Sequence, residues 1–342
     1  MSDTKVMVSV FCITFNHRDY IERCLKSLVN QKTDFKYEIL VHDDASMDGT
    51  QEIIREYAEK YPDLIIPILQ EKNQYSQNVD ILKHFLLPIA SGKYIVECEG
   101  DDFWCDPNKL QIQVETLENH PECALCVHET NTVDKEGNPQ DLHFPTTRID
   151  HCIISTSEFM YLTLDEQNWL FHLSAFMVSK QLFGAYMEYK TTGFPSRFYK
   201  AGDLPLYLYF AMQGDIYYID RVMSVYTVES GGFMSRVKED KQFAHMVHQG
   251  YIDGLLAFDE FSGHRFSKGV QKALVVRRFE IARIERRFDE LVLNPAYKPL
   301  INTRSIPKRI GIYSIGYLML FLREIEKVSL IMRAKPCRKE YL

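Results

Sequence analysis

No apolar run in this 342-residue chain reaches the ~20 residues that a bilayer-spanning helix requires. The most apolar late stretch, Ile310–Leu322 (IGIYSIGYLMLFL), fits an interfacial helix or a core helix instead. The N-terminus, MSDTKVMVSVF, has no charged segment leading into a long apolar stretch, so no signal peptide is expected and the cytoplasm is the expected compartment. Eight cysteines yield only one C-x-x-C, Cys123 and Cys126. No second pair or His pair sits at ligand spacing, which argues against a zinc site and for ordinary reduced thiols. Both familiar glycine-rich phosphate loops, G-x-x-x-x-G-K-[ST] and G-x-G-x-x-G, are missing, so a phosphorylated ligand would need cationic help from elsewhere. A net charge of −7 excludes a general nucleic-acid coat. There is no internal repeat and no low-complexity segment.

What is present is an alternation of strand and helix patterns. Val6–Phe15, Tyr37–His42, Asp63–Leu69, Lys93–Cys98 and Ala124–His128 read as strands. Asp19–Asn30, a segment from Asp48 to Lys60, Asn78–Ile89 and Asn108–Glu118 read as helices, with Pro107 suited to a first turn. This predicts an α/β unit with a mostly parallel sheet over about the first 130 residues. Residues 131–165 read as loop-rich, Asn168–Val178 as apolar, Gly193–Lys200 as a loop, Leu204–Met212 as a helix and Asp215–Ser224 as a strand. The remainder from about Lys241 is mostly helical. Three units follow: 1–130, an alternating α/β half; 131–240, a looser half of the same domain; and 241–342, a helical extension. From Ile301 to Leu342 nine Lys/Arg face three Asp/Glu, a net of +6, leaving −13 on the rest. A basic, apolar end on an acidic body is either a membrane-contacting segment or a solvated helix packed on that body.

In a parallel sheet with right-handed crossovers the strand-to-helix loops gather at one edge, where ligands bind. Three loops should meet there: Thr14-Phe-Asn-His17, His42-Asp-Asp-Ala-Ser-Met-Asp48 and Glu99-Gly-Asp-Asp102. Three carboxylates within four residues repel one another unless solvated or joined by a cation. Mg²⁺ or Mn²⁺ bridging Asp101 and Asp102 to a diphosphate suits that corner, with Phe15 available to stack on a base and Asp43 or Asp44 to accept a base N–H. Ser46 or Asp48 is the better helix cap. His17, His42, His128 and His172 read as packing or hydrogen-bonding residues. Trp104 either lines a sugar pocket or packs.

The segments VSVFCITFNHRDYIERCLKSLVNQ, YEILVHDDASMDGT and SGKYIVECEGDDFWCDPNKLQIQV resemble, in order and spacing, the N-terminal half of family 2 glycosyltransferases, which have the GT-A fold. AGDLPLYLYFAMQGDIYYIDRVMSVYTVESGG, residues 201–232, is similar to the acceptor-side segment of that family. The resemblance implies a GT-A nucleotide-binding sheet flanked by helices. Its nucleotide-sugar residues would be Phe15, Asn16, Asp43, Asp44, Asp101 and Trp104; its metal ligands Asp101, Asp102 and Glu99, for Mn²⁺ or Mg²⁺; and its catalytic base Asp203. It further implies an inverting transfer from a nucleotide sugar, a UDP-sugar foremost, to a glycan or lipid-linked acceptor in surface polysaccharide assembly. The chain departs from the family with Glu99 where Asp is common, and with Gly202 before Asp203 where Glu is common. The Glu229–Arg236 loop would close over the diphosphate through Ser235 or Arg236, or be a plain surface turn. Two rival readings are a sugar-phosphate nucleotidyltransferase, for which CITFNHRDY lacks the glycine-rich basic loop, and a non-catalytic glycan-binding scaffold that keeps the nucleotide pocket.

Overall fold

A computed structural model of the chain describes residues 5–192, 203–228 and 233–334. The expected loop Gly193–Lys200, Gly202 and residues 229–232 of the Glu229–Arg236 loop lie outside the described residues.

The first half alternates β1 (Val6–Thr14), α1 (Arg18–Val29), β2 (Lys36–Asp43), α2 (Thr50–Lys60), β3 (Ile65–Leu69), β4 (Tyr94–Glu99), the short β5 (Phe103–Trp104) and α3 (Lys109–Asn119). In α1, Ile21, Cys24, Leu25 and Leu28 recur at helical spacing and are all buried. β1 alternates its faces. Val8, Val10 and Cys12 pack with α1 and α3 residues such as Leu25 and Leu110, while Phe11 joins the opposite core with Phe183 and Phe210. The expected helix Asn78–Ile89 is instead a 3₁₀ turn, Tyr75–Gln77, and a single π turn, Leu82–Leu86.

The chain continues through β6 (Cys123–Val133), β7 (Pro139–Phe144), β8 (Ile153–Ile154), α4 (Thr156–Met160), β9 (Met177–Ser179), α5 (Lys180–Thr192), α6 (Asp203–Ala211) and β10 (Asp215–Thr227). The strands form one sheet in the order β3-β2-β1-β4-β9-β6-β10-β5, with β7 beside β6 and β8 beside β10. The first four are parallel, and β6 is parallel to β10. The mostly parallel sheet expected over the first 130 residues is joined by β9 from beyond them, which lies antiparallel between β4 and β6. The segment read as loop-rich carries the antiparallel partner β7. Both halves of the chain therefore contribute to one sheet.

Six helices complete the described chain: α7 (Phe233–Glu239), α8 (Lys241–Phe261), α9 (Ser267–Ile284), α10 (Phe288–Leu293), α11 (Lys298–Asn302) and α12 (Ile306–Ala334). α8 and α9 cover the sheet face that carries Phe11 and Leu125, through Ile252, Leu255 and Leu274. A separate small core, Phe279, Ala282, Leu291, Tyr297, Ile301 and Ile312, ties α9 to α12. Among the described residues no helix is long and apolar enough to cross a membrane.

Candidate active site

Parallel register sets the site's edge. Thr14 aligns with Asp43 and Ile13 with Glu99, so the loops after β1, β2 and β4 leave the sheet side by side.

The loop after β2 is knitted internally. The Asp43 carboxylate accepts hydrogen bonds from the Ser46 amide (2.9 Å), the Ser46 hydroxyl (2.5 Å) and Gln51 Nε2 (2.6 Å), and it is wholly buried. Asn16, at a left-handed φ of 55°, closes the neighbouring loop. Its amide donates to Ser46 Oγ (2.7 Å), and its Oδ1 accepts from the Met47 amide (3.1 Å). Asp48 accepts from the Thr50 amide and hydroxyl at the start of α2 and from the Arg18 amide at the start of α1.

The Asp44 amide donates to Thr14 O (3.0 Å), and its carboxylate takes the backbone N–H groups of Gln74 (2.7 Å) and Tyr75 (3.0 Å). Asp44 thus anchors the 3₁₀ turn beside the edge. A carboxylate has about four lone-pair sites, so capacity for further donors remains. Phe15, next to this clasp, is 45% exposed, an open ring at the mouth of the edge.

The acidic corner after β4 is braced from distant segments. Gly100 is pressed so close to β1 that a Cβ would lie 2.6 Å from both Thr14 Cβ and Thr14 Oγ1. Asp102 is wholly buried. Its Oδ1 accepts from the Thr227 amide (3.0 Å) and its Oδ2 from Ser174 Oγ (2.9 Å), with His172 Nδ1 at 3.6 Å. The Asp101 carbonyl accepts from Thr227 Oγ1 (2.6 Å), and Arg23 reaches that carbonyl and the same threonine. The Asp101 carboxylate faces His17, with Nε2 to Oδ2 at 3.8 Å.

Glu99, Asp102 and His172 each present a ligand atom within 4.8 Å of the others. Burial, and then the charge of Asp101, push the Glu99 and Asp102 carboxyls well above the usual carboxylate range. Burial lowers His172 to about 4, leaving the ring neutral near pH 7 with a nitrogen free of charge for ligation. His172 is also stacked on Tyr226 at 4.3 Å. A buried aspartate, a partly exposed glutamate and a neutral imidazole form a donor set that a divalent cation fits.

Asp203 opens α6 and is half-buried. Burial raises it from 3.8 to about 6. Its charge in turn raises Glu99 and Glu97, so it lies within electrostatic reach of the acidic corner although it comes from the other half of the chain. Arg236 on α7 comes close enough to lower the Tyr75 phenol, though burial, the larger effect, leaves that phenol raised overall. That brings α7 near the Asp44 clasp.

Trp104 departs from the sugar-pocket alternative. It is 4% exposed, sits in the core with Leu110 and Val114, and carries the Lys109 ammonium 4.3 Å from its ring centroid. Its indole N–H finds no hydrogen-bond partner among the described residues. Sequence reasoning missed the bracing residues Ser174, Thr227 and Arg23; it read His172 as a packing or hydrogen-bonding residue, and the ring does accept from the Ser174 amide (3.3 Å) as well as lie beside Asp102. The only cue was a lone imidazole inside the apolar run NWLFHLSAFMV.

A family model described as glycosyl transferase family 2 matches residues 9–184, just over half of the chain. An uncharacterized protein of Mycobacterium tuberculosis is 39% identical over 140 residues, 40% of this chain and 39% of that protein. The putative teichuronic acid biosynthesis glycosyltransferase TuaG of Bacillus subtilis is 31% identical over 147 residues, 42% of this chain and 56% of that protein. The chain thus spans from about two-fifths to just over half the length of these curated relatives. Among solved structures, S. aureus TarS 1–349 aligns with a TM-score of 0.54 at 19% identity, covering 90% of this chain and 81% of that one, and similar structures of it hold UDP and UDP-GlcNAc. The mannosyltransferase PcManGT of Pyrobaculum calidifontis, in complex with GDP-Man and Mn²⁺, aligns with a TM-score of 0.51 at 17% identity, covering 94% and 83%. The structural likeness is to the GT-A fold.

Proposed function

The chain belongs to glycosyl transferase family 2, and from that premise we propose that it transfers a sugar from a nucleotide diphosphate sugar to a glycan or lipid-linked acceptor, with inversion, in surface polysaccharide synthesis. A UDP-sugar is the favoured donor, in keeping with the UDP and UDP-GlcNAc complexes of the TarS neighbour. The process is in keeping with the teichuronic acid role in TuaG's name and with a similar poly(ribitol-phosphate) beta-glucosyltransferase of Bacillus spizizenii.

The carrying observation is the pairing of a buried acidic corner with an aspartate held near pH 6 on the opposite half of the domain. Glu99, Asp101 and Asp102, with His172, would hold Mn²⁺ or Mg²⁺. That ion supplies neutralisation of the charge that grows on the leaving diphosphate. Phe15 would stack on the base, while Asn16, Asp43 and Asp44 would hold the loops that frame it. Asp203, ionised above pH 6, would accept the proton of the acceptor hydroxyl as its oxygen bonds to the anomeric carbon. The bond from that carbon to the diphosphate oxygen breaks, and its electron pair leaves with the diphosphate. One displacement inverts the anomeric centre.

The test is Asp203→Asn. Transfer from a UDP-sugar should fall by about 10²–10⁴-fold while Mn²⁺-dependent UDP binding is kept. Unchanged transfer would remove Asp203 from the mechanism. Nucleotide binding by the wild type without any transfer would leave the scaffold reading.

A further inference from the structure

We propose that α12 is a docking face for an anionic lipid surface, laid flat in the interface. One side of the helix is used up inside the protein. Gly316 lets it press on α10, where a Cβ would meet Val292 Cγ2 at 2.4 Å and the Phe288 carbonyl oxygen at 2.6 Å. Ile312, on the same side, is buried in the small C-terminal core. Arg323 is ion-paired to the buried Asp289 of α10.

The opposite side is apolar and open. Tyr317, Leu318, Phe321 and Leu322 pair at spacings of three and four, Ile310 lies seven residues, about two turns, before Tyr317, and the five range from 54% to 63% exposed. Such spacing puts them on one stripe along the helix. Scattered exposed apolar residues need no explanation, but a contiguous stripe on one helix marks a surface that meets another phase or partner. No Asp, Glu, Lys or Arg falls between Ile310 and Leu322; Lys308 and Arg309 precede the stripe, while Arg323 after it is taken up by Asp289.

Charge selects the occupant. Residues 301–342 carry +6 on a chain whose total is −7. A second copy seated here would bring the same positive segment against it, whereas an anionic lipid headgroup layer meets opposite charge. Since no described helix can cross a bilayer, the stripe would sink into the boundary between headgroups and acyl chains, and the cations would remain at the headgroups. The reading deepens the proposed function for a lipid-linked acceptor, which is met at such a surface, but it does not depend on catalysis.

The experiment is co-sedimentation of the full chain with phosphatidylcholine vesicles, with and without phosphatidylglycerol, at low and high salt. The wild type should bind the anionic vesicles, weaken as salt rises and bind neutral vesicles poorly. Leu318→Glu with Phe321→Glu should cut anionic-vesicle binding at least about tenfold, with melting temperature and Mn²⁺-dependent UDP binding unchanged. Equal binding by the double variant, or no binding by the wild type, overturns the proposal. So does a wild-type dimer in solution that the double variant dissociates, because then a second copy covers the stripe. Loss of UDP binding by the wild type would count against the glycosyltransferase reading and leave the vesicle result intact.

Discussion

The acidic corner after β4 and the open face of α12 are built in opposite ways. At the corner, two aspartates are buried and their loop is cross-braced: Ser174 and Thr227 reach the Asp102 carboxylate, and Arg23 reaches the backbone carbonyl of Asp101. On α12, large apolar side chains face outward and the helix is held along one side only. Each arrangement is unfavourable by itself, the first through desolvated like charges and the second through wetted hydrocarbon. A buried polar cluster and an exposed apolar stripe are the two observations that ordinary packing does not explain. Each becomes favourable with a partner of complementary chemistry, a cation for one and a lipid surface for the other. The corner fixes its geometry in advance; the helix only presents a surface.

The corner can be broken most directly at Glu99, which is less braced than Asp102. Glu99→Gln removes one of the repelling charges while keeping the shape. Mn²⁺ should then assist UDP binding at least ~100-fold less in calorimetry, because a ligand position is lost along with the charge. The metal-free protein should melt at a higher temperature, because a desolvated charge is gone. Undiminished metal assistance would mean that Asp101 and Asp102 suffice.

Much of this edge was legible in the sequence, for a local reason. Period-two and period-3.6 patterns mark β1 to β4 and their helices, and the right-handed crossover rule then brings three loops together. The bracing was not legible, since it depends on where distant segments return. Ser174 and Thr227 lie 72 and 125 residues from Asp102. β9 enters the sheet against the parallel grain, between β4 and β6, and nothing in its three residues announces that. The partners of Asp44 are backbone N–H groups, which every residue but proline carries. Trp104 stayed open between two readings because an aromatic after an acidic loop suits a sugar pocket and a core equally well, and the structure buries it. On α12 the opposite held: composition alone exposed the basic, apolar character, and the structure added which side faces out.

Asp203 tests whether the acceptor side shares the strain of the corner. Its folded value of about 6 exceeds its ordinary 3.8, so the folded state holds the proton more tightly. The stability from this group is therefore full below about pH 4 and is lost as pH rises through 6. At pH 7.5 the ionised carboxylate should destabilise the fold by roughly 1–3 kcal/mol, and Asp203→Asn should melt higher by the corresponding few degrees. Catalysis runs the other way. With a single base titrating, the transfer rate should climb as pH rises through about 6 and then level off. A pH–rate profile flat from 5 to 8 would separate the measured step from Asp203 ionisation.

Gly100 sharpens the contrast in rigidity. An alanine there would put its Cβ 2.6 Å from Thr14 Cβ and Oγ1, both on the last residue of β1, so the strand end or the acidic loop must move. Gly100→Ala should cost about 1–3 kcal/mol in urea denaturation. It should also weaken Mn²⁺-assisted UDP binding, because the displaced loop carries the proposed ligands. Full stability would show that the corner is softer than its bracing implies.

The smallest effect belongs to α12. Leu322→Gln alters a side chain that is 54% exposed and touches none of the buried side of the helix. Truncating a buried leucine such as Leu25 would cost about 2–5 kcal/mol. At Leu322 the change in unfolding free energy should stay within ~0.5 kcal/mol at any protein concentration, because surface substitutions away from packed features seldom do more. A larger loss that grows with protein concentration would mean that the stripe is already covered by another copy in solution, since association that favours the folded state makes the melting point follow mass action. The comparison would then be between two packed sites rather than between a braced corner and an open face.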